Sequence, residues 1–246
     1  MLDQERYIRN IIIDEIGING QKKLIQANIL VIGAGGLGSS AIFYLAANGV
    51  GNITIIDNDK VEMSNLQRQI IHNEKNINQL KVDSAKEKIS LLNNNIKIST
   101  LKDKADKYNL SKIINEFDIV IDCSDNFPTR FDINETCFKN NKTLIFGAVK
   151  EFYGQLSIFK PSANSACYNC FNEDNIYKRK KIDLSDKGIL GSVPGIIGSM
   201  QATIAINEIL SINDFKPNNI LLFDFLRFSF KMVKISKNPS CKICNN

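Results

Sequence analysis

The sequence predicts an α/β fold with a mostly parallel, doubly wound sheet, in which helices cover both faces. Three observations lead to this prediction. Short β-branched runs alternate with amphipathic stretches through residues 28–149, and strands that alternate with helices pair in parallel. A glycine-rich stretch, Gly33–Gly38, directly follows the first apolar run. Beyond residue 150 a strand follows its predecessor almost directly, which predicts a C-terminal antiparallel extension.

The order of the elements follows from the hydrophobic periodicity. The first 26 residues are predicted to be helical and lie outside the alternating pattern. Strands are then predicted at residues 28–32, 52–57, 95–101, 118–122 and 143–149, and helices around residues 39–48, 79–92, 110–116 and 129–140. In the extension we predict a strand at 155–159, a helix at 195–210, and a strand pair at 220–225 and 228–235.

The composition is that of an ordinary globular protein, since 43% of the 246 residues are hydrophobic and 23% are charged. No apolar run approaches the ~20 residues that cross a bilayer. The N-terminus lacks the apolar segment of a secretory signal, so we expect a cytoplasmic protein with no membrane partner. The net charge of +5 is small, and the basic cluster Lys178–Lys181 is short. Nucleic acid is therefore not expected as a partner.

The glycine-rich stretch has the spacing Gly33-x-Gly35-x-x-Gly38 and lies between a predicted strand and a predicted helix. This context indicates a Rossmann-like nucleotide site. The first glycine permits a tight turn, the second lets a phosphate approach the backbone, and the third permits close helix packing. Asp57 follows Gly38 by 19 residues, at the end of the next strand, where a carboxylate meets ribose hydroxyls. This pattern alone leaves NAD, FAD and ATP open.

We expect one domain over residues 1–246, because no internal repeat and no low-complexity linker divides the chain. Its parts would be N-terminal helices at residues 1–27 and a nucleotide-binding core at residues 28–150. An antiparallel extension, a crossover loop and a C-terminal tail would occupy residues 151–246.

Three further segments carry a resemblance to a known family. They are the run Ser64–Gln69 (Ser-Asn-Leu-Gln-Arg-Gln), the lysine Lys81 and the run Asp122–Asn126 (Asp-Cys-Ser-Asp-Asn). In this order they resemble the ubiquitin-activating-like adenylyltransferases of the ThiF/MoeB/HesA type, which serve thiamine and molybdenum-cofactor synthesis. The likeness extends from Arg6 to the last cysteine pair. It implies that the nucleotide is ATP, used with Mg²⁺.

The resemblance implies the reaction as well. Such enzymes join the C-terminal carboxylate of a small ubiquitin-like carrier protein, or of a peptide with a flexible C-terminus, to the α-phosphate of ATP and release pyrophosphate. By the same resemblance Arg68 and Lys81 contact the phosphates, and Asn65 and Gln69 help to place them, beside Gly36 in the turn. A C-terminal carboxylate has a pKa of roughly 3.5 and needs no general base at neutral pH. This fits a chain whose only histidine is His72, which we interpret as a helix-end or packing residue.

Other roles also rest on the resemblance. Asp125 matches the family's magnesium-linked aspartate, with Asn126 beside it in the nucleotide site. Asp57 and Asp59 would lie near the ribose. Arg9 matches the arginine that family homodimers lend to the neighbouring subunit's site. Taken singly, Asp125 could instead cap the following helix.

The cysteines form two C-x-x-C pairs, Cys167 with Cys170 and Cys241 with Cys244. In a cytoplasmic chain such pairs indicate a zinc tetrathiolate rather than disulfides, although a redox role is the alternative. The 70 residues between the pairs exceed the usual zinc-ribbon spacing, but the family carries the same arrangement. The expected zinc is structural, because four thiolates leave no open position. Cys123 and Cys137 are expected to be buried without a chemical role.

The sequence departs from the family in the crossover loop, residues 177–187. Many relatives have a cysteine four residues before the run that is Gly188–Gly191 here, and this position is Leu184, next to Ser185. A serine replaces a thiolate poorly. We therefore predict that the reaction stops at the acyl-adenylate, while the loop still clamps the partner's C-terminal tail.

Three alternatives stay open. The first is adenylation of a peptide C-terminus in peptide-antibiotic maturation, whose enzymes usually carry an extra N-terminal domain, whereas about 27 residues precede the first strand here. The second is a non-catalytic subunit of a heterodimeric activating enzyme, which the retained Arg9, Arg68, Lys81 and Asp125 oppose. The third is an NAD-dependent reductase, but the sequence shows no separate substrate domain for one.

Overall fold

The structure, a computed structural model, describes residues 3–172 and 188–245. The described strands are β1 (Asn28–Ile32), β2 (Asn52–Ile56), β3 (Lys97–Leu101), β4 (Ile119–Asp122), β5 (Thr143–Lys150), β6 (Tyr153–Phe159), β7 (Asn219–Asp224) and β8 (Ser229–Lys234). The described α-helices are α1 (Gln4–Ile11), α2 (Gly17–Gln26), α3 (Gly36–Ala47), α4 (Lys81–Leu92), α5 (Lys107–Ile113), α6 (Phe127–Lys139) and α7 (Ser192–Leu210). A helical turn at residues 168–172 lies between β6 and α7.

All eight strands form one sheet in the order β3-β2-β1-β4-β5-β6-β7-β8. The pairs from β3 to β5 are parallel, and the pairs from β5 to β8 are antiparallel. The predicted fold class is thereby confirmed, including the antiparallel extension. Because β1 has β2 on one side and β4 on the other, the strand order reverses between β1 and β4. In such sheets ligands bind at the carboxyl ends of the strands at this switch point.

At the centre of the sheet both faces are buried, as the side chains of β1 show. Ile29 and Val31 belong to a core cluster formed with α2, α3 and α7. Leu30 and Ile32 belong to a second cluster formed with α5 and α6. Because successive side chains of a strand point to opposite faces, β1 lies between two helical layers and its carboxyl end is held rigidly.

Some boundaries differ from the prediction for physical reasons. Helix α3 begins at Gly36 rather than at residue 39, because glycines are poor helix formers and conceal a helix start. The N-terminal region consists of two helices, which are separated before Gly17, a residue with a φ of 58°. Short 3-10 turns at Met63–Asn65 and Glu74–Asn76 lie between β2 and α4, in a stretch without a hydrophobic period.

Helix α7 is, among the described helices, the one long and apolar enough to span a membrane by length and composition. Half of its apolar stretch is buried inside the molecule. There Ile197, Ala202 and Ala205 pack in the cluster that also contains α3 and β1. We therefore interpret α7 as a core helix.

Candidate active site

The glycine turn joins β1 to α3 with no room for side chains at two positions. Gly33 has a φ of 98°, which disfavours any residue with a Cβ. A Cβ there would also lie 2.8 Å from the carbonyl oxygen of Cys123 at the end of β4. A Cβ on Gly38 would overlap the carbonyl oxygen of Gly33. The turn is thus pressed between its own helix and the neighbouring strand.

Asp57 lies directly beyond β2 and fixes the turn. Its Oδ2 accepts from the backbone N–H of Ala34 at 2.8 Å, and its Oδ1 accepts from that of Asp59 at 2.8 Å. Burial raises the pKa of Asp57, an effect that the charge of Lys81 and these two N–H donors oppose. The resemblance implied a place near the ribose. The structure adds that this carboxylate holds the glycine turn.

Lys81 is the first residue of α4, and it is buried although it carries a charge. Its Nζ lies 2.9 Å from Oδ2 of Asp59, and its side chain is 9% exposed against 63% for Asp59. Its backbone N–H donates to the carbonyl oxygen of Asp59. Asp59 therefore holds this buried cation in place.

Arg68 and Gln69 lie against the glycine turn. The Cγ of Arg68 is 3.6 Å from where a Cβ on Gly36 would lie, and Nε2 of Gln69 is 3.6 Å from the same position on Gly35. Gln69 is 4% exposed, and its Oε1 has no hydrogen-bond partner within the described ranges. Arg68 donates from Nη1 to the carbonyl oxygen of Ser64 at 3.0 Å.

Asn65 has a different position from these two side chains. Its side chain forms a capping box with Glu62 at the 3-10 turn Met63–Asn65, and its Oδ1 accepts from the backbone N–H of Glu62 at 3.2 Å. The amide shapes the segment that leads to Arg68, so the structure shows a supporting contact for Asn65.

The β4–α6 turn carries Asp125 at its exposed apex. Asn126 is the N-cap of α6, and its Oδ1 accepts from the backbone N–H of Thr129 at 3.0 Å. Asp125 is therefore not the helix cap that its position also allowed, and its carboxylate is left exposed at the switch point between β1 and β4. Within the described residues, Oδ1 of Asp125 accepts a hydrogen bond from the side-chain amide of Asn126 alone, at 3.5 Å.

Buried polar groups below Asp125 fix this turn, and sequence reasoning missed them. Oδ1 of Asp122 accepts from the backbone N–H and the hydroxyl of Ser124 at 2.9 and 2.6 Å. Arg130 donates to the carbonyl oxygen of Ser124 at 2.8 Å, and Gln201 donates to that of Asp122 at 2.7 Å. Burial raises the pKa of Asp122. No simple spacing marks this set, because Gln201 comes from α7.

Arg9 is exposed on α1 and lies away from the glycine turn. Two residues before it, Tyr7 is buried against Gly49, where a Cβ would lie 2.5 Å from Cζ of the tyrosine. Gly49 follows the C-terminal end of α3, whereas the turn lies at the other end of this 12-residue helix. The two ends are about 18 Å apart. The structure thus does not bring Arg9 together with the other candidate residues.

The four cysteines of the two C-x-x-C pairs meet although 70 residues separate the pairs. Their sulfur atoms lie within 4.8 Å of one another, with separations of 4.0 Å for Cys167–Cys170, 3.7 Å for Cys167–Cys241 and 3.4 Å for Cys170–Cys244. Four thiolates bound to one zinc ion at about 2.3 Å stand about 3.8 Å apart. The cluster therefore fits a zinc ion.

Amide groups surround the sulfurs and fit their thiolate form. Nδ2 of Asn169 donates to Sγ of Cys241 at 3.5 Å, and the backbone N–H of Asn238 donates to Sγ of Cys170 at 3.4 Å. Burial raises the pKa of Cys167 to about 12. Burial alone would also raise the pKa of Cys241, but backbone N–H groups at its own C-x-x-C turn lower it to about 7. Cys123 and Cys137 are buried, and burial raises the pKa of both thiols.

The crossover loop at residues 177–187, including Leu184, Ser185 and the cluster Lys178–Lys181, lies outside the described residues. Just after this loop, Ile189 forms a β-bridge with Glu151, and Nε2 of Gln67 donates to the carbonyl oxygen of Ile189 at 3.5 Å. The end of the crossover segment thus returns beside the residue that precedes Arg68.

Comparison with known proteins adds to this geometry. Residues 7–243 match the ThiF family. The chain is 37% identical over 240 residues to the SAMP-activating enzyme E1 of Haloferax volcanii, covering 98% of this chain and 88% of that protein. It is 38% identical over 242 residues to the adenylyltransferase and sulfurtransferase MOCS3 of Culex quinquefasciatus, covering 98% of this chain and 55% of that protein. The chain thus spans about half the length of the MOCS3 protein.

A solved structure has the same fold. The crystal structure of Escherichia coli MccB with AMPCPP and MccA has a TM-score of 0.85 and 25% sequence identity, covering 98% of this chain and 75% of that chain. The fold, the site and these relatives together define an ATP-dependent adenylyltransferase. The chain belongs to the ThiF family. The predicted family and enzyme class are thereby confirmed.

Proposed function

We propose that this chain activates the C-terminal glycine carboxylate of a small ubiquitin-like sulfur-carrier protein as an acyl-adenylate, in a thiamine-type or molybdopterin-type sulfur-transfer pathway. One observation carries the proposal: three segments converge on the glycine turn. Asp57 bonds Ala34, Gln69 lies against Gly35, and the end of β4 lies against Gly33. The names of the relatives, a SAMP-activating enzyme and an adenylyltransferase, support the same reaction.

The chemistry needs cations more than it needs a base. A carboxylate oxygen of the carrier attacks the α-phosphorus of ATP, the bond to the bridging oxygen of the β-phosphate breaks, and pyrophosphate leaves. Because the attacking carboxylate is already ionised, the barrier arises mainly from bringing an anion to a polyanion. Arg68 at the glycine turn and Lys81 at the start of α4 are the positive groups that we assign to the phosphates.

Asp125 is the group that we assign to Mg²⁺. Its carboxylate is exposed at the carboxyl end of β4, and Asn126 is occupied as a helix cap. Mg²⁺ is commonly held by one or two carboxylates together with substrate phosphates and water, so a single free carboxylate fits. When bound, the ion neutralises charge on the phosphates as pyrophosphate leaves. We propose that Asp57 and Asp59 lie near the ribose, with Asp57 also fixing the turn.

A second candidate function is adenylation of a peptide C-terminus. It is favoured by the likeness to MccB, whose crystal structure contains MccA. The identity of 25% to MccB is lower than the 37% and 38% to the enzymes named above. We therefore rank the carrier-protein substrate first.

Pyrophosphate exchange separates these two substrates. The purified chain is incubated with ATP, Mg²⁺ and labelled pyrophosphate, with a panel of Gly-Gly-ended carrier proteins and of short peptides. We expect exchange with a carrier protein and none with that carrier lacking its last glycine. Exchange with peptides alone would favour the second candidate, and no exchange with any member would contradict both.

We also infer a homodimer in which Arg9 serves the neighbouring subunit. The exposure of Arg9 and its distance from the glycine turn of its own chain support this arrangement. Mixing Arg9→Ala protein with Asp125→Ala protein should restore part of the exchange activity that each lacks alone, because one site of the mixed dimer keeps both residues. No recovery on mixing would contradict the shared site.

We infer that the four-cysteine cluster holds a structural zinc ion and that residues 1–246 form one domain. The sulfur separations support the first, and the continuous eight-stranded sheet supports the second. Six unbridged cysteines suit a reducing, cytoplasmic setting.

With Leu184 in the position of the family's cysteine, we propose that the chain forms no covalent bond with its carrier. A thioester or persulfide link found by mass spectrometry would contradict this.

A further inference from the structure

His72 is the only histidine of the chain, and it joins the glycine turn to the helix that carries Lys81. It is 6% exposed. Its Nε2 lies 2.9 Å from the carbonyl oxygen of Ala34, and its Nδ1 lies 2.8 Å from the hydroxyl of Ser84 in the first turn of α4. The imidazole therefore bridges two elements of the candidate site.

These contacts define the tautomer. A carbonyl oxygen only accepts, so Nε2 carries the proton and donates to Ala34, and Nδ1 accepts from the hydroxyl of Ser84. Burial lowers the pKa of His72, and the nearby charge of Lys81 lowers it further, against the raising effect of the Ala34 contact. The other charged group at Ala34 is Asp57, on the N–H side. The ring is thus neutral at physiological pH, with both nitrogens used.

The hydrogen bond from His72 to the Ala34 carbonyl also sets the direction of the Gly35 N–H. In a trans peptide the C=O of one residue and the N–H of the next point in opposite directions. No cis peptide occurs in the described residues. Because the carbonyl of Ala34 points toward the His72 ring, the N–H of Gly35 points away from the imidazole. Within residues 3–172 and 188–245 that N–H has no hydrogen-bond acceptor.

Both peptide planes that flank Ala34 are fixed in this way. Asp57 accepts from the N–H of Ala34 on one side, and His72 donates to its carbonyl on the other. Gly35 itself cannot contribute a side-chain constraint, and α3 has no side-chain cap at its N-terminus. The orientation of the free N–H therefore depends on groups outside the turn.

We propose that His72 is a positioning residue that aims the Gly35 N–H at a phosphate oxygen of bound ATP. The inference rests on the proposed function only in taking ATP as the nucleotide. Its role is distinct from proton transfer, because a ring with both nitrogens bonded to the protein does not reach the substrate. If His72 acts in this way, the N–H donor at Nε2, rather than the size of the ring, sets the affinity for MgATP.

Two substitutions separate the donor from the bulk. A glutamine at this position can place an N–H near Nε2, whereas an asparagine ends near Nδ1 and leaves the Ala34 carbonyl without its donor. Ser84→Ala is the matched control, since it removes the other partner of the ring. If the hydrogen bond to the buried Ala34 carbonyl positions the Gly35 N–H, its loss should weaken MgATP binding by about tenfold. We therefore expect the Kd for MgATP to rise about tenfold in His72→Asn and less than about threefold in His72→Gln and Ser84→Ala.

Three measurements test this proposal. Calorimetry gives the Kd for MgATP, and urea unfolding gives the stability of each variant. Because there is one histidine, ¹⁵N NMR of the imidazole assigns the tautomer directly and should show Nε2 shift when MgATP binds. Equal Kd values in His72→Asn and Ser84→Ala, or an unchanged Nε2 resonance, would overturn the inference while ATP binding stands. A wild-type protein that binds no MgATP would instead overturn the proposed function, and this inference with it.

Discussion

Asp125 and Asn126 are neighbours, yet their side chains make different contacts. Asn126 caps α6, so Asn126→Ala should lower the free energy of unfolding by about 1 kcal/mol. Asp125 is exposed and caps nothing, so Asp125→Ala should change stability by less than about 0.5 kcal/mol. It should reduce pyrophosphate exchange about 100-fold or more, because the Mg²⁺ position is lost. Urea unfolding and exchange assays check both variants. Wild-type exchange by Asp125→Ala would contradict the assignment.

His72 also predicts how stability depends on pH. Its folded pKa is lowered from 6.5, so at pH values below the unfolded pKa the unfolded chain binds the proton more tightly. The contribution of this group is therefore constant above about pH 6.5 and is lost as the pH falls. We expect wild-type protein to lose more unfolding free energy between about pH 7.5 and about pH 5.5 than His72→Gln does. Urea unfolding of both proteins at both pH values measures this. An equal loss of unfolding free energy in wild type and His72→Gln would contradict the prediction.

The residue types around the glycine turn could be predicted from the sequence better than their contacts could. The runs Ser64–Gln69 and Asp122–Asn126 contain Arg68, Gln69 and Cys123, which lie against the glycine turn. The spacing could not show that Asn126 caps α6 or that Asn65 shapes a 3-10 turn. It also could not show that His72 reaches Ala34, which lies 38 positions away. Such contacts depend on how distant segments pack, which local patterns do not encode.

At the scale of elements, the glycine turn requires contact between α3 and β1. Gly38→Ala places a methyl group against the carbonyl oxygen of Gly33. Helix α3 must then move away from the turn, so we expect a loss of about 3 kcal/mol in unfolding free energy and weaker MgATP binding. Gly195→Ala in α7 is the matched control, because its new Cβ meets nothing within 4 Å. It should be neutral or stabilise by about 0.5 kcal/mol. Equal effects of the two substitutions in urea unfolding would contradict this.

Strands were predictable from the sequence where they are continuous buried runs of apolar residues. The strands β1, β2 and β4 are buried β-branched runs, and a run of this kind is recognisable without its surroundings. Helix starts were less accurate, since α3 begins at Gly36, a poor helix former, and α6 begins at Phe127, two residues before the predicted start. The antiparallel part of the sheet, from β5 to β8, was predictable because the connection between β5 and β6 is too short to contain a crossover helix.

At the scale of the whole molecule, the cysteine cluster ties the C-terminal tail to the helical turn at residues 168–172. We expect one zinc ion per chain in protein purified without chelator. Cys244→Ser should lose that zinc and unfold at a lower temperature, because the tail is no longer held. Ser240→Ala, in the same tail but outside the cluster, should keep both. Metal analysis and thermal unfolding measure these outcomes, and zinc-free wild-type protein would contradict the site.

The topology of the whole molecule explains why the site lies where it does. Reversal of strand order between β1 and β4 places the glycine turn and the β4–α6 turn, which carries Asp125, at the carboxyl ends of adjacent strands. The closing of the sequence-distant cysteine pairs followed from the resemblance rather than from spacing. A position for Arg9 next to a second chain is a property of an assembly, which a single chain does not contain.

We propose above that the glycine turn presents the α-phosphate of ATP to a carrier's C-terminal carboxylate. Transfer of ¹⁸O from that carboxylate to AMP is the decisive measurement. A carrier protein labelled with ¹⁸O in that carboxylate is incubated with the enzyme and MgATP, and the product is cleaved with hydroxylamine. The attacking oxygen becomes the bridge to phosphorus, and hydroxylamine attacks the acyl carbon, so we expect AMP that contains one ¹⁸O atom. Unlabelled AMP, or ADP as the product of ATP consumption, would contradict it.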